Sequence, residues 1–281
     1  MSYELVIPSY NRLEILRQTY LYVRKMYPHL PICLGLQGDN IENAFQTEEL
    51  ADDWLRIMKL TKLSPTYALN ACVKSSDSDI ILILDDDSVP CDNWLESYLE
   101  LFKAEVNLLY ASGREIRLMR GRSNRSELVR IILEAVYRMF SKLDKSLDGR
   151  VVGWISRSGL LFGNYTQSGT CLINTPRGCN MAFRRKAIDK FGGFNENLRG
   201  NFWGWESEWG VRLAKKGHLG KYLGSAIVIH SEAPTGGCRV SPNRKSFMDY
   251  LHNHRILIKQ LGFQAWIGSI PRLLRFMVQM R

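Results

Sequence analysis

The chain has 281 residues, of which 45% are hydrophobic and 23% are charged, and its formal net charge is +10. This length and apolar content can fill a hydrophobic core, which excludes a generally disordered chain. The six cysteines show no CxxC pair or zinc-finger spacing, so we expect reduced thiols and a cytoplasmic protein. We find neither an export signal nor the roughly 20 apolar residues of a spanning helix, and we expect no membrane crossing.

The excess positive charge falls in two segments. Residues 114–150 carry ten Lys and Arg against five acidic residues, and residues 250–281 carry five against none. Apolar residues recur at helical spacing over 128–143 and over 264–281, which predicts basic amphipathic helices. Such helices suit an anionic membrane surface. A helix packed on the core explains 128–143 equally well, whereas membrane binding is favoured for 264–281.

In chain order, the first part of the sequence alternates between predicted strands and helices. This alternation with short loops is typical of a doubly wound, mostly parallel sheet, in which the loops after the strands share one edge. Residues 8–12, 38–40 and 85–87 are therefore expected to meet in space. The predicted elements are strands over 3–7, 31–36, 54–58 and 80–84, and helices over 13–26 and 65–76.

The strand over 80–84 contains no charged residue and ends in Asp85, Asp86 and Asp87. Three carboxylates this close repel one another, and a bound cation relieves the repulsion. Ligands of parallel sheets bind beyond the carboxyl ends of the strands, where these residues fall. A solvated turn that caps the next helix near Asp92 is the alternative, and the run alone does not decide between the two.

The second part of the chain contains fewer regular elements but several polar and aromatic motifs. A last strand delivers His230, either as a metal ligand or as a histidine that only forms a hydrogen bond at a strand end. The predictions are a helix over 92–104, a strand near 107–112, a short helix over 187–190, an aromatic and acidic patch over 201–209 that enters a helix, and the strand over 225–229.

Together these motifs resemble the family 2 glycosyltransferases over roughly residues 4–260. The resemblance implies the GT-A fold, an α/β Rossmann-like and mostly parallel central sheet flanked by helices, here with a basic amphipathic C-terminal helical tail. The motifs are Pro8-Ser9-Tyr10-Asn11-Arg12, Asp39, Ala68-Leu69-Asn70, Asp85-Asp86-Asp87, Gly178-Cys179-Asn180-Met181-Ala182-Phe183-Arg184-Arg185 and Gly192-Gly193-Phe194-Asn195-Glu196.

The resemblance also implies roles for single residues. Asp87 and His230 would hold Mn²⁺ or Mg²⁺, since hard oxygen ligands suit both ions and a histidine favours Mn²⁺. Sugar contacts are expected from Trp203, Trp205 and Arg184, with core packing as the competing role of each tryptophan. The implied nucleotide-binding residues are Pro8, Ser9, Tyr10, Arg12, Asp39, Asp85 and Asp86.

A sugar transfer needs a base that deprotonates the acceptor hydroxyl. Related sequences carry two adjacent acids, a further acid two residues later and an Arg four residues beyond it, and here Glu208 and Arg212 keep that last spacing. Glu206 occupies the position of the expected Asp, while Trp205 replaces the preceding Glu. We therefore predict Glu206 as the base and keep Glu208 as the alternative. A single base without a second nucleophile predicts inversion at the anomeric carbon.

The sequence thus predicts a metal-dependent inverting glycosyltransferase that moves a sugar from a nucleotide diphosphate sugar to a glycan or lipid-linked acceptor in cell-surface polysaccharide synthesis. It would be cytoplasmic, or peripheral on the inner face of the membrane. The alternatives are a non-catalytic nucleotide-sugar-binding relative, a nucleotidyltransferase and a basic nucleic-acid-binding protein, and no nucleic-acid partner is expected. The predicted parts are a GT-A domain over 1–250 (nucleotide-binding half 1–113, basic partly helical insertion 114–176, acceptor and catalytic half 177–250) and the tail over 251–281.

Overall fold

A nine-stranded sheet forms the centre of the computed structural model, which describes residues 1–38, 52–118, 146–147, 150–231 and 243–270. The strands are β1 (Tyr3–Tyr10), β2 (Ile32–Gln37), β3 (Leu55–Leu60), β4 (Ile80–Leu84), β5 (Ser88–Pro90), β6 (Tyr110–Arg117), β7 (Ser146–Leu147), β8 (Arg150–Val151), β9 (Trp154–Ile155), β10 (Leu161–Phe162), β11 (Thr170–Ile173), β12 (Asn180–Arg184) and β13 (Gly220–His230). The helices are α1 (Leu13–Met26), α2 (Pro65–Lys74), α3 (Trp94–Ala104), α4 (Arg185–Phe191), α5 (Trp205–Ala214), α6 (Arg244–Leu261) and a 3₁₀ helix (Phe263–Ser269).

The strand order in this sheet is β11-β13-β6-β12-β4-β1-β2-β3, and β5 pairs with the end of β13. Strands β4, β1, β2 and β3 run parallel to one another, and β6 and β13 run in the same direction. Strands β5, β11 and β12 run against them. The predicted α/β class with a mostly parallel central sheet is therefore confirmed.

Strand β4 is uncharged because both of its faces are buried. Ile80, Leu82 and Leu84 point into a core shared with α1 and α3, while Ile81 and Ile83 point into a second core shared with α2 and α5. A strand covered on both sides reads as a continuous apolar run. The acids that follow β4 therefore mark the point at which the chain leaves the core.

Asn180, the first residue of β12, satisfies four buried polar groups. Its Oδ1 accepts hydrogen bonds from Nε1 of Trp94 at 2.8 Å and from the hydroxyl of Tyr98 at 2.9 Å, and its Nδ2 donates to the carbonyls of Arg114 and Ala226. Gly113 lies beside it, where a Cβ atom would be 2.2 Å from the Ala226 carbonyl. Asn180 therefore links β6, β12 and β13 near the end of β4, which the predicted acids follow.

Several predicted elements differ from the structure. The strand predicted near 107–112 is shifted to Tyr110–Arg117, and the last strand begins five residues earlier than predicted, at Gly220. Strands β5 and β7 to β11 were not predicted, because segments of two to four residues are too short to show a period-two pattern. Strand β12 was not predicted either; its residues were recognised only as part of a motif. The helix predicted over 128–143 lies outside the described residues.

Helix α6 starts at an Asn243–Ser246 capping box and runs across the predicted boundary of the tail at residue 251. The 3₁₀ helix follows it, with Ala265 buried and Trp266 packed edge-on against His254 at 5.5 Å. Of the amphipathic segment predicted over 264–281, residues 271–281 lie outside the described part of the chain. No helix in that described part is long and apolar enough to cross a bilayer.

Candidate functional site

The end of β1 and the loop that follows it meet the acids after β4. Oγ of Ser9 donates to Oδ2 of Asp86 at 2.6 Å, and the Arg12 guanidinium reaches Oδ1 of Asp86 at 2.9 Å and Oδ2 of Asp87 at 3.4 Å. Gly38, at the end of β2, also lies against Asn11. The predicted meeting of these loops is thus observed for 8–12, Gly38 and 85–87, whereas Asp39 lies outside the described residues.

Asp87 faces His230, the last residue of β13. Oδ1 of Asp87 lies 3.0 Å from Nε2 of His230, and both side chains are buried. Burial alone would lower the pKa of His230, but hydrogen bonds to Asp87, Cys179 and Glu115 outweigh burial and raise the pKa to about 12. Surroundings that favour a positive imidazole this strongly also stabilise a cation at the same place.

Glu115 on β6 supports His230 from the other side. One carboxylate oxygen lies 2.7 Å from Nδ1 of His230, and Arg177 and Arg117 each donate two hydrogen bonds to the same carboxylate. Burial alone would raise the pKa of Glu115, but His230 and Arg177 outweigh it and hold the pKa well below its usual range. A carboxylate on the second nitrogen of a histidine is typical of histidines that bind metals.

Asp85 and Cys179 join Asp87 and His230 in one group of possible metal ligands, which we call the cation-type cluster. One donor atom from each of Asp85, Cys179 and His230 lies within 4.8 Å of the other two. Burial, with Asp87 and Asp86, raises the pKa of Asp85 to about 7, and burial raises the pKa of the Cys179 thiol to about 11. Carboxylate, imidazole and thiol groups gathered at this spacing are the donor types that divalent cations bind, so these residues fit a metal.

Glu206 lies in a cleft of about 240 Å³. It occupies the first turn of α5, where the helix N-terminus favours a negative charge, and it accepts a 3.3 Å hydrogen bond from the backbone N–H of Gly178. Burial raises the pKa of Glu206, while the charge of Arg177 opposes that shift. Arg177 lines the same cleft and also pairs with Glu115. Arg177 therefore links the cleft to Glu115, which in turn holds His230.

Glu208 lies on the other side of α5. Its carboxylate pairs with Arg212 at 3.3 Å and accepts a 3.4 Å hydrogen bond from Gln260 of α6, and the residue is 2% exposed. Arg212 in turn donates to backbone carbonyls of Phe191 and Gly193 at the end of α4. The structure thus places Glu206, and not Glu208, in the cleft.

The three tryptophans near these acids differ in their surroundings. Trp209 is fully buried in the core, packed against Tyr110. Trp203 and Trp205 line the cleft, Trp203 with its ring 4.8 Å from Tyr250 and Trp205 in contact with the aromatic core. The structure therefore brings two of the three tryptophans to the cleft.

A second cavity lies at the edge of the sheet where β1, β2 and β3 end. It has a volume of about 330 Å³ and is lined by Tyr10, Asn11, Gly38, Lys59 and Thr61, together with two leucines. Of the residues predicted to bind the nucleotide, Tyr10 thus lines this cavity. Pro8 lies within β1, paired with Gly35 of β2.

Comparison with known proteins shows the family of the chain. Residues 4–192 match the model of glycosyl transferase family 2. The chain belongs to that family. Chondroitin synthase from Escherichia coli is 26% identical over 250 residues, which cover 82% of this chain and 34% of that protein, so the chain spans about a third of this relative's length.

Three solved structures share the fold of this family 2 chain at 13% identity, each over 99% of it. GalNAc-T7 with UDP, GalNAc and Mn²⁺ has a TM-score of 0.63 with 56% of its chain covered. TarS from S. aureus with UDP-GlcNAc has a TM-score of 0.58 with 72% covered, and mannosyltransferase PcManGT from Pyrobaculum calidifontis with GDP-Man and Mn²⁺ has 0.55 with 74% covered. The chain therefore has a GT-A fold and belongs to glycosyl transferase family 2.

Arg184, which was predicted to contact the sugar, lies away from the candidate site. Strand β12 runs against β4 and pairs Arg184 with Ile80, the first residue of β4, at the edge opposite to Asp85. Its guanidinium donates to backbone carbonyls of Phe102 and Leu108 near the end of α3. In this structure the side chain joins α3 to the sheet and does not reach the cleft.

Three residues at the site were missed from the sequence: Glu115, Arg177 and Cys179. Arg177 and Cys179 flank the glycine of the Gly178-Cys179-Asn180 motif, and this position was the available signal. Glu115 lies in a strand with no motif of its own, and its partner His230 is 115 positions away.

Proposed function

We propose that this protein is a metal-dependent inverting glycosyltransferase that moves a sugar from a nucleotide diphosphate sugar to a hydroxyl group of a glycan or lipid-linked acceptor. One observation carries the proposal: Arg177 lines the cleft that contains Glu206 and pairs with Glu115, whose carboxylate holds His230 beside Asp87. A sugar transfer needs a cation site and a base near each other, since the donor phosphates and the acceptor hydroxyl lie on either side of the anomeric carbon.

Asp87 and His230 are the residues that we propose hold Mn²⁺ or Mg²⁺. A divalent cation bound there would supply Lewis-acid stabilisation of the charge that develops on the departing diphosphate. Relatives of the same fold were solved with Mn²⁺. Glu115 fixes the histidine ring through Nδ1, which leaves Nε2 directed to Asp87.

The nucleotide would occupy the cavity that Tyr10, Asn11 and Lys59 line, next to the loop that Ser9 and Arg12 anchor. Both carboxylate oxygens of Asp86 accept hydrogen bonds from that loop. We infer that Asp86 holds the nucleotide loop against β4 in addition to any contact with the ribose.

Glu206 is the proposed base that takes the proton from the acceptor hydroxyl. Among the described residues that line the cleft, Glu206 is the only carboxylate. A retaining enzyme that forms a covalent intermediate needs a second carboxylate as nucleophile, so this lining supports direct displacement with inversion. The carboxylate is available because Arg177 and the start of α5 both favour its charged form.

The acceptor cleft supports a carbohydrate acceptor. The rings of Phe202, Trp203 and Trp205 line it together with the polar Asn201, and aromatic faces combined with a few polar groups suit sugar rings. The similarity to chondroitin synthase, together with the basic segments of the chain, leads us to propose a role in cell-surface polysaccharide synthesis at the inner face of the membrane.

A donor panel tests the proposal. Purified protein with Mn²⁺ is tested for binding and slow hydrolysis of UDP-, GDP- and dTDP-sugars, and we expect one nucleotide class to bind. Absence of binding and hydrolysis across the panel would exclude the donor site. Glu206→Gln is expected to lower transfer by about 10²- to 10⁴-fold and to leave donor binding intact. Glu208→Gln on the same helix is the matched control, and loss of transfer in that variant alone would move the base to Glu208.

A further inference from the structure

Cys179 is buried at the centre of the cation-type cluster. It precedes β12, whose antiparallel pairing of Asn180 with Leu84 brings Cys179 beside Asp85. Its sulfur is within 4.8 Å of a donor atom of Asp85 and of His230, and it is 1% exposed. Three strand ends thus direct a carboxylate, an imidazole and a thiol to one point.

The spacing of these atoms suits a single cation. Zinc–sulfur and zinc–nitrogen bonds of about 2.3 and 2.1 Å place two ligand atoms of a tetrahedral site about 3.6 Å apart. The donor atoms of Asp85, Cys179 and His230 lie within 4.8 Å of one another, so small side-chain movements bring them to the spacing of metal-bound ligands. His230 already faces Asp87 through Nε2 at 3.0 Å, so the same ion can contact carboxylate and thiol groups together.

We propose that Cys179 is a direct ligand of the divalent cation at this site, so that the protein binds thiophilic ions such as Co²⁺ and Zn²⁺ through a thiolate. This inference rests on the metal dependence of the proposed function. On binding, a sulfur lone pair forms the bond to the cation and the thiol proton leaves to the buffer, with no change of oxidation state. A thiolate raises the affinity for Co²⁺ and Zn²⁺ relative to Mn²⁺, which sets this site apart from one built of oxygen and nitrogen donors.

The test is a Co²⁺ titration without nucleotide, read by absorption. Thiolate bound to Co²⁺ gives a charge-transfer band in the near ultraviolet, which oxygen and nitrogen donors do not give. We expect the band in the unsubstituted protein and in Cys171→Ser, since Cys171 pairs with Tyr222 near the far end of β13. In Cys179→Ser and Cys179→Ala we expect the band to disappear and Co²⁺ affinity to fall by about tenfold or more.

A Co²⁺ complex of the unsubstituted protein without the band, or an equal band in both Cys179 variants, would overturn the proposal. Circular dichroism identifies a variant that has lost its fold, and the second substitution then serves. Mn²⁺ binding, measured by electron paramagnetic resonance, distinguishes failure of the Cys179 proposal from failure of the proposed function. Mn²⁺ binding without a Co²⁺ thiolate band rejects Cys179 as a ligand and leaves the proposed function standing, whereas absence of all cation binding rejects both.

Discussion

The carboxylate of Glu115 lies 2.7 Å from Nδ1 of His230, and this contact fixes which nitrogen of the ring faces the cation-type cluster. Because Nδ1 is engaged, Nε2 is directed to Asp87 at 3.0 Å. Glu115 is itself held by paired hydrogen bonds from Arg117 and Arg177. The orientation of the histidine is therefore set by residues that do not reach the cluster.

Glu115→Gln should weaken Mn²⁺ binding by about 10- to 100-fold, the usual effect of losing a carboxylate behind a metal-binding histidine. Glutamine can still accept one hydrogen bond from Nδ1, but it cannot balance the two arginines. Electron paramagnetic resonance of free Mn²⁺ measures the affinity. Glu105→Gln, which removes a surface partner of Lys221, is the matched control and should bind as the unsubstituted protein does. Equal affinities in the two variants would show that Glu115 has no part in holding the cation.

The pH dependence of transfer should report Glu206. A base must be ionised to accept a proton, so kcat/KM falls as the pH decreases through the pKa of Glu206, which burial raises above its usual range. Arg177 opposes that shift and Glu115 adds to it, so Arg177→Met should move the acidic limb to higher pH. The pH profile of kcat/KM measures both effects, with Arg157→Met as an exposed control. An unmoved limb in Arg177→Met would mean that another group titrates.

The position of the acids at one edge of the sheet was predictable, because it follows from the burial and the parallel arrangement of the strands. An uncharged run buried on both faces, followed at once by Asp85, Asp86 and Asp87, fixes where β4 ends, and parallel neighbours then bring Ser9 and Arg12 to the same edge. The position of Arg184 could not be predicted in this way. Its distance from the cleft depends on the antiparallel direction of β12, which the local sequence pattern does not specify.

The choice between Glu206 and Glu208 illustrates a limit of motif spacing. Two residues along an α-helix are separated by about 200° around its axis, so only one of them can face the cleft. Which one does so depends on how α5 docks, and here Arg212 pairs Glu208 against the end of α4. The Glu115–His230 contact was similarly out of reach, because it joins two strands far apart in the sequence.

Asn180→Ala should destabilise the fold by about 3 kcal/mol or more. The substitution leaves the carbonyls of Arg114 and Ala226 without this donor, removes the acceptor of Trp94 and leaves Tyr98 with only the backbone carbonyl of residue 180. A buried polar group left unsatisfied costs roughly 1–3 kcal/mol. Urea unfolding with an unchanged slope measures the loss. Asn197→Ala is the control, since Asn197 is exposed and forms hydrogen bonds through its backbone. Similar midpoints for both variants would refute the role of Asn180.

Removal of residues 271–281 should release the protein from anionic vesicles. The segment carries Arg272, Arg275 and Arg281 and no acid, and each arginine contributes about 1 kcal/mol near such a surface, so the partition coefficient should fall on the order of 100-fold. Ala265 and Trp266, which pack in the full chain, remain in the shortened one, so we expect the fold to be retained. Co-sedimentation with vesicles of phosphatidylglycerol and phosphatidylcholine measures the binding, and vesicles of phosphatidylcholine alone are the control. Unchanged sedimentation of the shortened chain would place the membrane contact elsewhere or exclude it.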